Sequence, residues 1–193
     1  NPVNLPELVE AISCREQVVV SVGTLGGKKN QEALIRAFAA LHDAEHWSLD
    51  IVGDGPDRPK LKILSQALGV GSRVRFLGQR DDVGQLLQKA RVFAFSSLSE
   101  GFPNALAEAL AAGCACVSYD CPTGPGDLIE DGINGLLVPN DDESAFRAAL
   151  DRLINDEALQ AKLGNAARER IQEFDQSRVL SRLDGLIEST IAE

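Results

Sequence analysis

Positive charge is scarce in this sequence. Its 193 residues include 29 Asp and Glu but only 19 Lys and Arg, which gives a formal net charge of −10. A broad nucleic-acid interface neutralises phosphates with clustered Lys and Arg. The charge balance therefore argues against nucleic acid as a partner, although it is compatible with a local cationic pocket.

Long apolar runs are missing as well. No segment approaches the roughly 20 apolar residues that a membrane-spanning helix needs. Residues 1–4 lack the basic and apolar segments of a secretory signal, and reduced cysteines suit the cytosol. These observations predict a cytoplasmic protein with no transmembrane segment. Peripheral association of the full protein with the inner face of the cell membrane is left open.

The cysteines lack the spacing of a metal site, and the two histidines come just after a predicted helix, at the edge of the sheet opposite the ligand loops. Cys114 and Cys116 lie on a strand-like run and Cys121 follows, but zinc sites use a second matching pair, which is absent. We therefore expect Cys114 and Cys116 to be small buried residues on one face of a strand. His42 and His46, which flank two acidic residues, are expected to be exposed. A metal site at either cluster is the alternative.

Three well-known signatures are also absent. There is no Gly-x4-Gly-Lys-Ser/Thr phosphate loop. No Gly-x-Gly-x-x-Gly follows the first predicted strand, which argues against a nicotinamide cofactor. No Gly-x-Ser-x-Gly turn occurs, so Ser-His-Asp catalysis has no support.

What the sequence does contain is an alternation of apolar runs and amphipathic segments. Six runs, each ended by Gly or a polar turn, are predicted strands: 17–23, 47–53, 73–78, 92–96, 115–119 and 135–139. Helical spacing predicts helices at 5–12, 30–41, 56–68, 82–90, 103–113, just before 130, 141–154, 155–173 and 176–191. The alternation predicts an α/β fold, a doubly wound, Rossmann-like parallel sheet of about six strands with C-terminal helices.

The same pattern predicts one domain over residues 1–193. Within it, 1–6 is a linker remnant and 141–193 is a helical tail. Ligands of doubly wound sheets bind outside the carboxyl ends of the strands. The loops at 23–29, 53–56, 78–80, 96–103 and 121–127 should therefore lie at one edge of the sheet.

Residues 100–108 are the strongest functional candidate. They follow a strand and open an Ala/Leu-rich helix, with Pro103 predicted at the first helical position. A helix start presents unpaired N–H groups and a partial positive charge, which suit phosphate. Glu100 and Glu108 are carboxylates that can accept hydrogen bonds from sugar hydroxyls. The stretch predicts half of a nucleotide-sugar site, and two unrelated exposed glutamates are the alternative.

Backbone and side-chain donors around this stretch complete the prediction. Pro103 has no N–H, so backbone contacts should come from Phe102, Asn104 or Ala105. Lys29, after a Gly-rich turn, can neutralise a diphosphate as a point charge, and Lys28 is the weaker candidate. A solvated loop lysine is the alternative for both.

Two further turns carry weaker signals. In residues 53–56 the glycines let backbone approach a ligand and Pro56 can start a helix. In residues 122–125 the Thr123 hydroxyl and the amides after it can meet a sugar or a phosphate. A tight turn without a ligand is the alternative for each.

Taken in order, these motifs resemble the C-terminal half of a GT-B retaining glycosyltransferase of family 4. The matching segments are residues 22–25 with Lys29, 52–56, 100–108 and 131–139. The resemblance covers about residues 1–140, and the helical tail fits it too. It implies two Rossmann-like domains that face each other across a cleft, of which the C-terminal one holds the donor.

The resemblance also implies roles for individual residues. Glu108 would take the ribose hydroxyls, and Glu100 would lie by the donor sugar. Lys29 would bind the diphosphate, and backbone near Gly78 would meet the base. The implied catalytic residues are Glu100 and Lys29. The implied donor-binding residues are Gly23, Thr24, Lys29, Gly53, Gly78, Glu100, Gly101, Phe102, Asn104, Ala105 and Glu108.

The implied reaction transfers a hexosyl or N-acetylhexosaminyl unit from a nucleotide sugar, with UDP favoured, to a glycan or lipid-linked acceptor. It retains anomeric configuration and serves bacterial surface polysaccharide or oligosaccharide synthesis. No metal or other cofactor is required, because cationic side chains and a helix N-terminus substitute for it. The acceptor side belongs to an N-terminal domain that these 193 residues do not contain. The chain alone should therefore fold, bind donor weakly and transfer no sugar.

One residue departs from the family pattern. Thr24 stands where the family usually has an Arg that provides a second cation for the diphosphate, and Lys28 is the candidate to compensate. This departure favours the alternative function, a non-catalytic nucleotide-sugar-binding or assembly module of the same fold. A flavodoxin-like or receiver signalling domain is a more remote alternative, because no acidic cluster follows the first strand.

Overall fold

The computed structural model describes residues 10–172. The predicted linker at 1–6 and the predicted helix at 176–191 lie outside the described residues. So does most of the predicted helix at 5–12, and Ile12–Cys14 form a short 3-10 turn.

Six strands form one sheet in which every adjacent pair is parallel. The strands are β1 (Glu16–Val22), β2 (Ser48–Val52), β3 (Val74–Gly78), β4 (Ala90–Phe95), β5 (Ala115–Asp120) and β6 (Leu136–Pro139). Their spatial order is β3-β2-β1-β4-β5-β6. The doubly wound fold is confirmed, and the strand order reverses between β1 and β4.

Seven α-helices connect or follow the strands in the described part of the chain. They are α1 (Gln31–Ala39), α2 (Arg58–Ala67), α3 (Val83–Lys89), α4 (Asn104–Ala111), α5 (Pro125–Leu128), α6 (Glu143–Asn155) and α7 (Glu157–Ile171). Asp142 and Asp156 cap α6 and α7. Each carboxylate accepts a hydrogen bond from the backbone N–H three residues later in the chain. Within residues 10–172, no helix has the length and apolarity to cross a membrane.

Two apolar layers cover the two faces of the sheet, because successive strand residues point to opposite sides. Val19 packs in the layer under α1, α2 and α6. Val18 and Val20 pack in the layer under α3 and α4. Cys114 and Cys116 are buried in that second layer, as predicted.

The two histidines are exposed, as predicted, and Asp151 lies near the first of them. All four cysteines are free thiols. Burial raises the pKa of the Cys114 thiol to about 12, so it stays protonated.

Arg15 fixes the far end of the helix that carries the predicted site. Its guanidinium is buried and donates to the carbonyl oxygens of Ala90 (3.2 Å) and Ala112 (2.9 Å), the residues that close α3 and α4. A cation at two helix C-termini is favourable. Burial lowers the pKa of Arg15 from its ordinary value.

Two predicted helix starts are wrong by one or two residues. Pro103 precedes α4 with a non-helical ψ of 71°, so it is not the first helical residue. Pro56 lies two residues before α2, and it is Pro59 that occupies an early helical position. For α2 the sequence offers two prolines that suit a helix start, Pro56 and Pro59, and the second of them occupies it.

Candidate functional site

Three glycines join the carboxyl ends of neighbouring strands. The Gly23 N–H donates to Val52 O (3.0 Å), and the Gly53 N–H donates to Gly78 O (2.7 Å). Gly53 has a φ of 124°, and a Cβ there would lie 2.0 Å from Gly23 O. Only glycine fits such an approach. The loops after β1, β2 and β3 therefore form one continuous backbone surface.

Leu25 anchors the loop after β1 against the loop after β2. Its side chain is fully buried. Its N–H donates to Asp54 O (3.0 Å), and its carbonyl accepts from the Asp57 N–H (3.2 Å). A Cβ at Gly55 would lie 2.2 Å from Leu25 O. Gly55 thus serves loop-to-loop packing, whereas the sequence suggested an approach to a ligand.

An ion pair crosses the point where the strand order reverses. Lys29 Nζ lies 2.6 Å from Glu100 Oε1, and the side chains are 30% and 11% exposed respectively. The Lys29 ammonium also lies 5.7 Å from the centre of the Phe95 ring. The Ser96 hydroxyl donates to Lys29 O (2.9 Å), which ties the two loops together. The structure thus brings together the two residues predicted as catalytic.

Lys28, the weaker candidate, is exposed. Its carbonyl accepts from the Leu98 N–H (2.8 Å), so its backbone also joins the loops after β1 and β4. Thr24 is exposed at the same edge, and its carbonyl accepts from the buried Gln31 side chain (2.9 Å). Both residues hold the loop through their backbone and leave their side chains at the surface.

The start of α4 lies beside the ion pair in sequence and presents backbone donors. The Asn104 N–H donates to Phe102 O (3.0 Å), and the Ala107 N–H donates to Pro103 O (3.0 Å). Ala105 and Leu106, which lie between them, have no intrahelical carbonyl to bond at a helix start. Of the predicted backbone donors, Asn104 is therefore engaged within the protein.

Glu108 lies one helical turn after Asn104, on the same side of α4. It is exposed at the surface. Even so, the protein around its carboxyl group removes enough water to raise its pKa above the ordinary glutamate value. A carboxylate whose pKa is raised by desolvation is suited to accept hydrogen bonds from a ligand.

The loop that carries Glu100 is held from the next strand. The Thr123 hydroxyl lies within hydrogen-bonding distance of the carbonyl oxygens of Glu100 and Pro122. A Cβ at Gly124 would lie 2.3 Å from the Pro103 ring. The Thr123 hydroxyl is thus engaged by protein carbonyls, while the sequence suggested a sugar or a phosphate as its partner.

Arg58 was not singled out by the sequence. Its guanidinium donates to the Asp54 carboxylate (2.9 Å) and to Phe76 O (3.1 Å). A Cβ at Gly78 would lie 3.7 Å from its Nη1. Arg58 therefore lies against the end of β3, where the loop that follows this strand begins. The available signal was the opposite charge of Asp54 and Arg58, which are four residues apart in the sequence.

The sheet order and the loops gathered at one edge are the architecture of a GT-B glycosyltransferase domain. The model of the family described as glycosyl transferases group 1 matches residues 9–170. The chain belongs to that family, because the match covers most of its length.

Two curated relatives are similar along most of the chain. An exopolysaccharide phosphotransferase of Streptomyces coelicolor is 36% identical over 85% of this chain, but the match covers 18% of that protein. The N-acetylgalactosamine-N,N'-diacetylbacillosaminyl-diphospho-undecaprenol 4-alpha-N-acetylgalactosaminyltransferase of Campylobacter jejuni is 34% identical over 89% of this chain and 46% of its own length. The chain therefore spans half or less of each relative.

A solved structure agrees with the fold. The Anabaena protein HepE, in complex with UDP, superposes with a TM-score of 0.83 at 25% identity. The superposition covers 92% of this chain and 50% of the HepE chain.

Proposed function

We propose that this chain is the donor-binding domain of a retaining glycosyltransferase. The observation that carries the proposal is the Lys29–Glu100 pair, which joins a cation and a carboxylate just before the start of α4. Helix N-termini and cations both favour anions. Carboxylates accept hydrogen bonds from hydroxyl groups. A nucleotide sugar presents both kinds of group, a diphosphate and two rings with hydroxyls.

Each part of the donor has a proposed partner. Lys29 and the N–H groups near Ala105 hold the diphosphate, and Gly101 allows the sugar to pass close to the backbone. Glu100 holds the donor sugar. Glu108 accepts the ribose hydroxyls, and the Gly78 backbone meets the base. UDP is favoured as the nucleotide, and the UDP complex of HepE supports that choice.

In the proposed reaction the bond between the anomeric carbon and the diphosphate oxygen breaks. The acceptor oxygen bonds to that carbon on the same face, and its proton passes to the departing diphosphate. Lys29 and the α4 N-terminus stabilise the negative charge that develops on the leaving group. No metal is required for this step in the proposal, since fixed positive groups take that role.

The proposed product is a glycan or a lipid-linked oligosaccharide extended by one hexose or N-acetylhexosamine. The name of the Campylobacter relative, a transferase acting on an undecaprenol-linked glycan, supports this acceptor class. We further propose that acceptor binding needs a second domain, that the isolated chain is inactive, and that the protein acts in the cytoplasm.

A non-catalytic nucleotide-sugar-binding module is the second candidate. Thr24 in place of a cationic residue favours it. Thr24→Arg tests whether this edge is used as it is in the family. If the edge binds a diphosphate, the added guanidinium tightens UDP binding about fivefold. Unchanged affinity would show that Thr24 does not face a bound diphosphate.

Calorimetric titration of the 193-residue chain with UDP, GDP and ADP tests the proposal itself. Of these three nucleotides, we expect UDP to bind. We expect the Glu108→Ala variant to lose that binding. Glu169→Ala, which removes an exposed carboxylate from α7, is the matched control and should bind as wild type does. No binding of any nucleotide by the wild-type chain would contradict the proposal.

A further inference from the structure

The loop that carries Glu100 also contacts the turn after β5. Thr123 has one hydroxyl proton, and the carbonyl oxygens of Glu100 and Pro122 are both within its reach. The next residue, Gly124, faces the Pro103 ring so closely that no side chain would fit. The turn thus contacts the loop at two places, at Glu100 and at Pro103.

The backbone of Thr123 has an uncommon conformation. Its φ is +62°, in the left-handed region. Residues branched at Cβ rarely adopt this region, because the branch clashes with the backbone. The surrounding contacts must therefore impose the conformation. A residue without a branch would be easier to accommodate at this position, but it would need a hydroxyl to keep the bond.

We propose that Thr123 is a positioning residue for the sugar end of the donor site. Its hydroxyl holds the Glu100 carbonyl and thereby fixes the Glu100 carboxylate beside Lys29. The inference rests on the proposed function, in which Glu100 holds the donor sugar. The nucleotide end is supported by other contacts, since the Ser96 hydroxyl ties down Lys29 and α4 carries Glu108. Loss of the Thr123 hydroxyl should therefore weaken the grip on the sugar and spare the grip on UDP.

Thr123→Ser and Thr123→Ala form a matched pair for the test. Both lack the Cβ branch, and they differ by one hydroxyl oxygen. Calorimetry measures the affinities of wild type and both variants for UDP, UDP-glucose, UDP-galactose and UDP-N-acetylglucosamine. For each protein we compare the ratio of UDP-sugar affinity to UDP affinity, using the UDP-sugar that wild type binds most tightly. Urea unfolding of each variant reports its stability separately.

We expect Thr123→Ser to keep the wild-type ratio and Thr123→Ala to lower it about tenfold, with UDP affinity within about twofold of wild type. A merely structural role would change stability or both affinities together, and that result would overturn the inference. The inference is also overturned if wild type binds none of the three UDP-sugars more tightly than it binds UDP. If wild type fails to bind UDP at all, the proposed function fails and the inference fails with it.

Discussion

Lys29 Nζ and Glu100 Oε1 lie 2.6 Å apart, although the two residues are 71 positions apart in the sequence. The pair joins the loop after β1 to the loop after β4. Its carboxylate is 11% exposed and its ammonium is 30% exposed. In the absence of a donor, the cation that we assign to the diphosphate is therefore occupied by a carboxylate. A diphosphate that binds there must share Lys29 with Glu100 or displace it.

Glu100→Gln should therefore have opposite effects on two ligands. UDP affinity should rise about threefold, because the competing charge of a partly exposed ion pair, about 0.6 kcal/mol, is removed. UDP-sugar affinity should fall, because the sugar loses a carboxylate acceptor. Calorimetry with UDP and UDP-glucose measures both.

The control for this variant is Glu32→Gln on α1. Glu32 is also paired with a lysine, Lys60, at 2.6 Å, but its side chain is 33% exposed on the surface of α1. The Glu32→Gln variant should bind both UDP and UDP-glucose as wild type does. Equal changes in UDP and UDP-glucose affinity for Glu100→Gln would contradict the assignment of Glu100 to the sugar.

The raised pKa of Glu108 predicts that donor binding depends on pH. Desolvation by the surrounding protein raises its pKa above the ordinary glutamate value, and in the proposed site only the ionised carboxylate accepts strongly from the ribose hydroxyls. Affinity for UDP-glucose should therefore fall as the pH is lowered through this raised pKa. The diphosphate of UDP-glucose, esterified at both ends, does not titrate there. A wild-type profile that matches that of Glu108→Gln would rule out this role.

The stability of the free protein should respond to the same group with the opposite sign. The folded state disfavours the Glu108 carboxylate, so its contribution to stability falls as the pH rises from the unfolded pKa through the folded one. Urea unfolding of wild type and Glu108→Gln across this range measures the difference.

Gly53→Ala should destabilise the fold by about 3 kcal/mol, because the added Cβ meets a backbone oxygen at a positive φ. Gly84→Ala is the matched control. Gly84 is exposed in α3 and a Cβ there meets nothing within 4 Å, so stability should rise by about 0.5 kcal/mol. Urea unfolding curves measure both. Equal stability of the two variants would mean that the loops after β1 and β2 are not packed as described.

The sheet was predictable because its signals are local. Val18, Val19 and Val20 belong to a β-branched run ended by Gly23, and a strand is the structure that such a run favours. The parallel direction of the strands followed from the alternation of strands and helices. Helix starts were predicted less well, since Pro56 and Pro59 compete for the same role and tertiary contacts decide between them.

The site was predictable only at the level of loops. Parallel topology brings the carboxyl ends of the strands to one edge, so Lys29 and Glu100 were expected near each other. Their direct pairing, the Thr123 contact with Glu100 and the support of Gly78 by Arg58 depend on side-chain geometry across distant segments. No local pattern in the sequence encodes those contacts.

In the proposed function, Lys29 holds the diphosphate of a nucleotide sugar. Lys29→Met and its neighbour Lys28→Met remove the same charge one residue apart, and Lys28 has an exposed side chain. Calorimetric titration with UDP should show about 30-fold weaker binding for Lys29→Met, the value of a charge-assisted contact of about 2 kcal/mol. Lys28→Met should bind within about threefold of wild type. Equal losses in both variants, or no loss for Lys29→Met, would contradict the claim.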